Sequence, residues 1–368
     1  MKRLFIVSVA SGYGGAERSI ELIARHIPAD VRVWLFAQHP EHIAQLSRCD
    51  RLPPHVTLIR IGHTSTLFRK RLAALRLALA YRRHRPDSLL LNTHASALLA
   101  AMAARFTPEL GRRCHLYVRD FLWSDLSYIF GRLAGAKALV PNEVVAERCG
   151  YLSPWYLAPT GDVPWEVIPD MVEMPDGPAS YGERFLHLAT INPFKGHPDL
   201  MLAIKTLAER GTPVVVDSLG LVGNAALRER LLGLIDTLGL EGLFNLFPYE
   251  SDPGARLRSC RAVLVTSVSH SGGPETFGRA VIEAWSHRKA VIAFAAGAPA
   301  RLIRHGIDGL LVAEGNVTAL ADAIFQLSTD TELCHRLGEA GYAQAVKLYQ
   351  ASSVTPRLLD HLLAPGDG

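Results

Sequence analysis

The sequence predicts an α/β protein with two doubly wound, parallel-sheet domains. Three observations carry this prediction: the length of 368 residues, the alternation of short apolar runs with longer helical patterns, and a proline-rich interruption near the middle. At roughly 150 residues a domain, this length fits two domains. Hydrophobic residues make up 49% and charged residues 20% of the chain, which excludes a disordered protein.

The strands predicted for the first domain, residues 1–165, are runs rich in Val, Ile, Leu and Phe. They cover residues 4–10, 31–37, 56–61, 88–94, 115–120 and 136–142, and a short strand at 166–169 is expected to close the sheet. Apolar spacing near 3.6 predicts helices at 16–27, 67–83 and 95–106. Strands that are apolar on both faces and separated by helices indicate a parallel sheet covered on both sides.

Six prolines between residues 154 and 178 interrupt this alternation, so residues 166–180 are predicted to link the domains. The alternation then restarts in a second domain, residues 181–349. Its strands are expected at 185–191, 214–220, 243–247, 262–267, 290–295 and 309–313, and its helices at 197–210, 225–238, 253–259, 277–287, 318–327 and 331–349. The tail, residues 350–368, is expected to pack back on the first domain. Two such Rossmann-like domains face a cleft, and ligands bind at the carboxyl ends of their strands.

Charge and cysteine usage exclude several classes of protein. The net charge of +4 is too small to indicate nucleic-acid binding. The five cysteines are scattered without a CxxC pair, so neither a zinc site nor a disulfide framework is expected, and the cytoplasm is the favoured compartment. No apolar run approaches the roughly 18 residues that span a bilayer.

Two loops at predicted strand ends have residues suited to phosphate. Gly12, Gly14 and Gly15 follow the first strand, where glycines let the backbone approach a phosphate at a helix N-terminus. Glu17 breaks the dinucleotide fingerprint, and a tight turn without ligand is an equal interpretation. Lys195, in Pro193-Phe194-Lys195-Gly196, is a point charge suited to a diphosphate, although a solvated surface lysine is the common alternative.

The strongest signal is the segment from residue 269 to 284. Glu275 and Glu283 are eight residues apart, slightly over two helical turns, so they lie on roughly the same side of a helix. The helix begins around Phe277, where backbone N–H groups are aimed at an anion. A carboxylate before the helix can accept from sugar hydroxyls, and one two turns deeper can accept from a ribose. Burial of Glu283 without a partner would be costly, which favours a functional role.

These blocks resemble the retaining glycosyltransferases of family 4, which have the two-domain GT-B fold. The matching features appear in the family's order: the Gly-Gly loop, the Pro-x-Lys-Gly block, the Glu-x7-Glu pair and a Gly/Pro-rich turn leading to a strand at 308–312. The likeness spans nearly the whole chain. The Glu-x7-Glu block is fairly specific, whereas the glycine loop is not.

The resemblance implies a role for each matched residue. Lys195 would bind the phosphates of a nucleotide-sugar donor, Glu275 the hydroxyls of the donor sugar, and Glu283 the ribose. Gly14 and Gly15 would let the first domain approach the diphosphate and the acceptor. The N–H groups at the helix start, which would meet the distal phosphate, belong to the stretch Phe277, Gly278, Arg279 and Ala280.

Three positions depart from the family's pattern. Thr190 stands where an arginine usually precedes the lysine, so Arg279 or Arg301 would have to compensate. Arg119 and Asp120 stand where many members have a histidine near the sugar, and they are retained as catalytic candidates with Glu275 and Lys195. Pro169-Asp170-Met171 replaces a Pro-Asn-Gly sequence. Residues ranked lower for the cleft are His94, Thr190 and His270.

The family's reaction moves a sugar from a UDP- or GDP-sugar to a hydroxyl of a glycan or lipid-linked acceptor with retained configuration, typically in polysaccharide or lipopolysaccharide synthesis. The sequence has no DxD, so neither a metal nor another cofactor is expected. Two alternatives stay open: a sugar-nucleotide 2-epimerase of similar fold, and an inactive nucleotide- or glycan-binding partner. A dinucleotide dehydrogenase is weaker, because the glycine fingerprint is broken.

A basic segment runs from residue 56 to 86, which contains no Asp or Glu. Within it Phe68, Leu72, Leu75 and Leu79 recur at helical spacing among arginines. One interpretation has this apolar stripe packing on the sheet with the arginines solvated. The other has the helix, over residues 67–85, on an anionic membrane at the inner face, and the two can hold together.

Overall fold

In a computed structural model of the protein, the described residues are 1–10, 12–48, 52–62, 66–121, 123–149 and 166–364. The chain divides into two units. One consists of Met1–Met171 with Ala351–Gly368, and the other of Val172–Gln350. Outside the described residues lie Ser11 before the predicted glycine loop, Cys49, residues 150–165 of the predicted first domain and residues 365–368 of the predicted tail.

The N-terminal unit contains a seven-stranded sheet in which every strand pairs with its neighbours in parallel. Its strands are β1 (Lys2–Ser8), β2 (Val31–Ala37), β3 (Val56–Arg60), β4 (Ser88–Leu91), β5 (Cys114–Tyr117), β6 (Lys137–Val140) and β7 (Glu166–Val167). The strand order is β3-β2-β1-β4-β5-β6-β7. The central strand β1 is fully buried from Leu4 to Val7, as expected of a strand covered on both faces.

Six α-helices and a 3-10 helix, Pro108–Arg113, connect the described strands of this sheet. The α-helices are α1 (Gly15–Arg25), α2 (Pro40–Ser47), α3 (Leu67–His84), α4 (His94–Ala104), α5 (Leu126–Phe130) and α6 (Glu143–Arg148). Thr66, Thr93 and Asn142 cap α3, α4 and α6 by accepting the N–H three residues on. The sequence analysis did not predict α2, α5 and α6, which have eight, five and six residues and so about two turns of periodicity or fewer.

The prediction that the apolar stripe of α3 packs on the sheet is wrong. The buried face of α3 consists of Ala73, Ala74, Leu77, Ala78 and Tyr81. Its small alanines allow close packing against α4, and this face joins the hydrophobic core of the unit. The stripe that contains Phe68 and Leu72 is exposed instead.

The C-terminal unit repeats the architecture with six parallel strands. They are β8 (Phe185–Leu188), β9 (Val216–Leu219), β10 (Phe244–Phe247), β11 (Ala262–Val265), β12 (Ala290–Phe294) and β13 (Leu310–Val312), in the order β10-β9-β8-β11-β12-β13. The prediction of two doubly wound parallel sheets is confirmed. Predicted strands extend up to three residues past the observed ends, as at β4 and β5, because the chain leaves the sheet there to form loops.

Seven α-helices cover this second sheet in the described chain. They are α7 (His197–Glu209), α8 (Ala225–Leu238), α9 (Gly254–Ser259), α10 (Arg279–Ser286), α11 (Pro299–Leu302), α12 (Val317–Thr329) and α13 (Thr331–Leu348). The fully buried Trp285 of α10 donates its indole N–H to the carbonyl of Asp308 at 2.9 Å. Gly341 of α13 lies against that ring, where an added Cβ would be 2.2 Å from Cδ1. This close contact fixes α10 against α13.

The predicted boundary between the domains is corrected by the structure. Residues 166–171 do not link the domains, because β7 pairs with β6 and Ile168 and Met171 are buried in the N-terminal core. The second unit begins at Val172. The last helix, α14 (Ala351–Leu362), belongs to the N-terminal unit, where Val354, Leu358 and Leu362 join the core beside α1 and β4.

Across the described ranges, none of the helices has the length and apolar character that crossing a membrane requires.

Candidate functional site

The strand order of the C-terminal unit places a switch point between β8 and β11. Chain connections leave these neighbouring strands in opposite directions, which opens a crevice at their carboxyl ends. The loop after β8 contains Thr190 and Lys195, and the loop after β11 contains Glu275. The topology therefore brings together two segments that lie 80 residues apart in the sequence.

The turn that contains Lys195 is hydrogen-bonded to the loop after β11. A 3-10 helix, Pro193–Lys195, is followed by Gly196 at φ 67° and then by α7. The hydroxyl of Thr266 donates to the carbonyl of Lys195 at 3.0 Å, and the Val268 N–H donates to the carbonyl of Phe194 at 2.8 Å. A Cβ on Gly196 would lie 1.8 Å from the Thr266 carbonyl oxygen, so only glycine fits this contact.

Lys195 and Glu275 form an ion pair at this crevice. Lys195 Nζ lies 2.5 Å from Glu275 Oε2, and the Ser267 hydroxyl donates to the same oxygen at 3.0 Å. The side chains retain 14% and 17% of their exposure, so a ligand can reach them. The Phe194 ring lies beneath the ammonium, with its centre 4.8 Å from Nζ. The pair thus combines a cation for phosphate with a carboxylate for hydroxyls.

The backbone around Glu275 is held from two sides. Both the N–H and the hydroxyl of Ser269 donate to the carboxylate of Glu314 at 2.7 Å. Desolvation acts to raise the pKa of Glu314, but these hydrogen bonds outweigh it and lower the pKa. After β12, the Ala298 N–H donates to the Glu275 carbonyl at 3.1 Å, and a Cβ on Gly297 would be 2.6 Å from that oxygen.

The second carboxylate of the predicted pair, Glu283, has a cationic partner within α10. Arg279 Nη2 donates to Glu283 Oε1 at 3.0 Å. Gly278, at φ 87°, precedes the helix, and the first-turn N–H groups of α10 point out of its N-terminus. Phe277 is buried in the core and anchors this start, while Ala280 is partly buried beside it. Both carboxylates that were predicted to bind the donor are therefore paired with a cation, Glu275 with Lys195 and Glu283 with Arg279.

In the N-terminal unit, residues after β4 hold the glycine loop that follows β1. The Asn92 amide donates to the Ser8 hydroxyl at 3.1 Å and to the Ala16 carbonyl at 3.2 Å. Gly14 donates its N–H to Glu17 Oε2 at 2.9 Å, and Gly15 begins α1. These contacts fix the loop at the switch point between β1 and β4, which is the equivalent place in this sheet.

Arg119 is buried in an ion pair with Asp170. The Ser19 hydroxyl donates to the same carboxylate oxygen at 2.8 Å, and the guanidinium carbon lies 3.7 Å from the centre of the Tyr117 ring. Arg119 and Asp170 both lie at positions that depart from the family's pattern, and they bind each other. The carboxylate of Asp170 therefore connects Arg119, which follows β5, with Ser19 of α1.

The remaining candidates have the following contacts, each within its own unit. Asp120 is exposed, and its carbonyl accepts the Cys149 thiol at 3.4 Å. His94 donates from Nε2 to the Ser124 carbonyl at 2.9 Å. Thr190 is half-buried, with its carbonyl bonded to the Asn192 N–H at 2.8 Å, and His270 is exposed with Nδ1 3.0 Å from the Ser271 hydroxyl.

Sequence reasoning missed three residues that shape these sites. Ser267 was counted only as the end of a predicted strand, and Glu314 and Asn92 were not singled out. The available signal was polarity, since each follows an apolar strand at its carboxyl end. What each contacts depends on the strand order.

The buried carboxyl of Glu17 should make stability depend on pH. Burial raises the pKa of Glu17 to about 7, although the Gly14 N–H and the charge of Arg119 act to lower it. The folded chain then keeps a proton that the unfolded chain releases near pH 4.5, so stability falls as pH rises from about 4.5 to about 7. Above about pH 7 the penalty is constant and at most about 3 kcal/mol.

We expect Glu17→Gln to remove this dependence, because the amide oxygen still accepts from Gly14 without becoming charged. The measurement is urea unfolding at about pH 5 and about pH 8. The free energy of unfolding of the variant, relative to that of the wild type, should be larger at the higher pH. Glu143→Gln, an exposed first-turn glutamate of α6, is the matched control. The prediction would be contradicted if the free energy of unfolding of wild type and of Glu17→Gln changed by the same amount between the two pH values.

The C-terminal unit matches a known family. Residues 178–344 match the family described as Glycosyl transferases group 1, and this stretch contains Lys195, Glu275 and Glu283. A lipopolysaccharide core biosynthesis glycosyltransferase of Rhizobium meliloti, LpsE, is 29% identical over 144 residues, covering 39% of this chain and 41% of the relative. A phosphatidyl-myo-inositol mannosyltransferase of Mycobacterium leprae is 29% identical over 167 residues, covering 45% of this chain and 42% of the relative.

The chain thus matches about two fifths of the length of these two relatives. Its fold is similar over nearly its whole length to the crystal structure of HepE from Anabaena in complex with UDP and glucose. The TM-score is 0.80 at 19% identity, over 99% of this chain and 100% of that one. These comparisons establish a group 1 glycosyltransferase domain in the C-terminal unit and a GT-B fold for the chain.

Proposed function

We propose that this chain, whose C-terminal unit carries a group 1 glycosyltransferase domain, is a retaining glycosyltransferase that uses a nucleoside-diphosphate sugar. The observation that carries the proposal is the Lys195–Glu275 ion pair at the β8/β11 switch point, beside the N-terminus of α10. Such an arrangement provides a cation for a diphosphate and a carboxylate for sugar hydroxyls at one crevice.

Donor binding would exchange the ion pair for contacts with the ligand. A diphosphate carries more negative charge than one carboxylate, so it competes for Lys195 Nζ. Glu275 Oε2, still held by Ser267, then accepts from hydroxyls of the sugar. The ribose bonds to the Glu283 carboxylate, which Arg279 orients. The two residues of the ion pair thereby bind two parts of the donor, Lys195 the diphosphate and Glu275 the sugar.

The reaction would proceed by attack on the face that the leaving group departs from. The bond from the anomeric carbon to the diphosphate oxygen breaks, and a bond to the acceptor oxygen forms on the same face. The acceptor proton moves to an oxygen of the leaving diphosphate. Lys195 and the α10 N-terminus stabilise the charge that develops on the leaving phosphate, so the proposal requires no metal or further cofactor.

The relatives support the choice of substrate class. HepE was solved with UDP and glucose, which favours a sugar nucleotide as donor. The names of the rhizobial and mycobacterial relatives refer to lipopolysaccharide core biosynthesis and to phosphatidyl-myo-inositol mannosyl transfer. We therefore propose a glycan or lipid-linked hydroxyl as acceptor, in cell-surface polysaccharide synthesis. The cytoplasm is the proposed location, because scattered cysteines without a CxxC pair fit a reducing compartment.

A panel of UDP- and GDP-sugars tests the proposal, with release of free nucleoside diphosphate measured with and without saccharide and lipid-linked acceptors. We expect acceptor-dependent release from one donor, and a product whose anomeric configuration, read by NMR, equals that of the donor. Conversion of the donor without acceptor would instead identify a 2-epimerase. Nucleotide binding without release across the panel would identify an inactive partner protein.

A further inference from the structure

The outward face of α3 carries a strip of apolar side chains from Phe68 to Leu79. Phe68, Leu72, Leu75 and Leu79 are all exposed, Phe68 to 76% and Leu79 to 54%. At 100° a residue, spacings of four, three and four place these side chains within about 60° of one another, opposite the buried alanine face. They form a continuous strip, here named the α3 ridge, and Phe106 continues the exposed apolar surface beyond the α3 C-terminus.

Arginines lie on both sides of the α3 ridge. By the same rotation, Arg71 and Arg82 lie on one side of it, and Arg69 and Arg76 on the other. Arg83 follows at the C-terminal end. Residues 56–86 contain no acidic residue, so no neighbour within this segment neutralises the charge. Arg82 also donates to the Phe106 carbonyl, which ties the two parts of the surface together.

We propose that the α3 ridge docks the N-terminal unit on the surface of an anionic bilayer. A solvent-exposed apolar strip of this size costs free energy in water, and it indicates a surface that becomes covered. The flanking arginines favour phosphate headgroups, while the ridge enters the boundary between headgroups and acyl chains. A second copy of the chain is disfavoured because the arginines would face one another, and nucleic acid because the centre of the surface is apolar.

The inference goes beyond the proposed transferase activity and does not depend on it, since docking needs no donor or acceptor. It would bring the chain to the place where lipid-linked acceptors reside. Its test is co-sedimentation with vesicles of phosphatidylcholine alone and of phosphatidylcholine with phosphatidylglycerol, in low and high salt. We expect binding to the anionic vesicles only, weakened by salt.

Two sets of substitutions separate charge from apolar contact. Arg71→Gln with Arg76→Gln and Arg83→Gln should lower partitioning about fivefold for each arginine, on the order of a hundredfold in all. Phe68→Ser with Leu72→Ser and Leu75→Ser should lower it at least about tenfold. Matched controls on the other unit are Leu202→Ser with Leu232→Ser, and Arg228→Gln with Arg230→Gln, all at side chains outside the ridge.

Because the substituted residues are exposed, each variant should melt within about 2 °C of the wild type. Failure of the wild type to bind anionic vesicles would overturn the proposal, as would binding by the ridge variants equal to that of their controls. A dimer in sedimentation velocity that the serine variant dissociates, with no vesicle binding, would assign the face to a second copy instead. Nucleoside-diphosphate release with a soluble acceptor should be unchanged in both ridge variants.

Discussion

Replacing Lys195 with alanine is expected to lower the rate of nucleoside-diphosphate release by about a hundredfold to a thousandfold. The ammonium lies 2.5 Å from Glu275 at the switch point, which is where the leaving phosphate is proposed to bind. Removing it leaves the departing charge to the α10 N-terminus alone. Because this charge develops as the bond breaks, the loss should appear mainly in kcat, measured by a coupled assay for the free nucleoside diphosphate.

Lys205→Ala is the matched control for this variant. Lys205 lies on α7, the helix that follows the Lys195 turn, and forms a partly exposed pair with Glu209 at 3.6 Å. Its loss should leave the rate within about twofold of the wild type, since exposed pairs contribute little. Lys195→Arg should recover part of the rate by restoring the charge. Wild-type turnover in Lys195→Ala would exclude the proposed role of this residue.

Replacing Gly196 with alanine is expected to destabilise the C-terminal unit by about 3–5 kcal/mol, a shift in melting temperature of roughly 10 °C. The new Cβ would lie 1.8 Å from the carbonyl oxygen of Thr266, so the turn must move away from the loop after β11. This backbone is also left-handed, at φ 67°, which adds about 1 kcal/mol. Differential scanning calorimetry measures the shift.

Gly211→Ala separates backbone strain from the clash. Gly211 has a similar φ of 75°, but a Cβ there meets no atom within 4 Å. We expect this control to lose only about 1 kcal/mol. Equal melting temperatures for the two variants would show that the contact with Thr266 does not hold the turn. The Gly196 variant should also lose transferase activity at temperatures where it remains folded, because Lys195 moves with the turn.

Much of the fold could be predicted from the sequence, because buried parallel strands are apolar on both faces and stand out as runs. Strand β1, which precedes the glycine loop, and strand β8, which precedes the Lys195 turn, were both predicted from such runs. The division at Met171–Val172 was missed, as were the helices α2, α5, α6, α11 and α14. A six-residue helix shows less than two turns of periodicity, and the prolines that interrupt the pattern lie partly within the N-terminal unit.

The candidate site, like the fold, could be predicted from the sequence only in part. Lys195, Glu275 and Glu283 were singled out from motifs whose residues lie close together in the chain. The contacts of these residues were not predicted, because they depend on the fold: Ser267 donates to Glu275, and Arg279, which was expected to meet a phosphate, pairs with Glu283. Arg119 shows the difference most clearly: the sequence suggests a catalytic group, and only the structure shows that it is paired with Asp170, 51 residues away.

By itself, then, the sequence determined the α/β class, the two sheets, and the residues that resemble a sugar-nucleotide site, since these depend on local periodicity and short spacing. The tertiary structure decided which of them meet, because strand order brings the loops after β8 and β11 together. It also decided which stripe of α3 is buried. Periodicity shows that a helix has an apolar stripe, but where two compete, the small side chains of Ala73, Ala74 and Ala78 allow close packing against α4 and leave Phe68 and Leu72 at the surface.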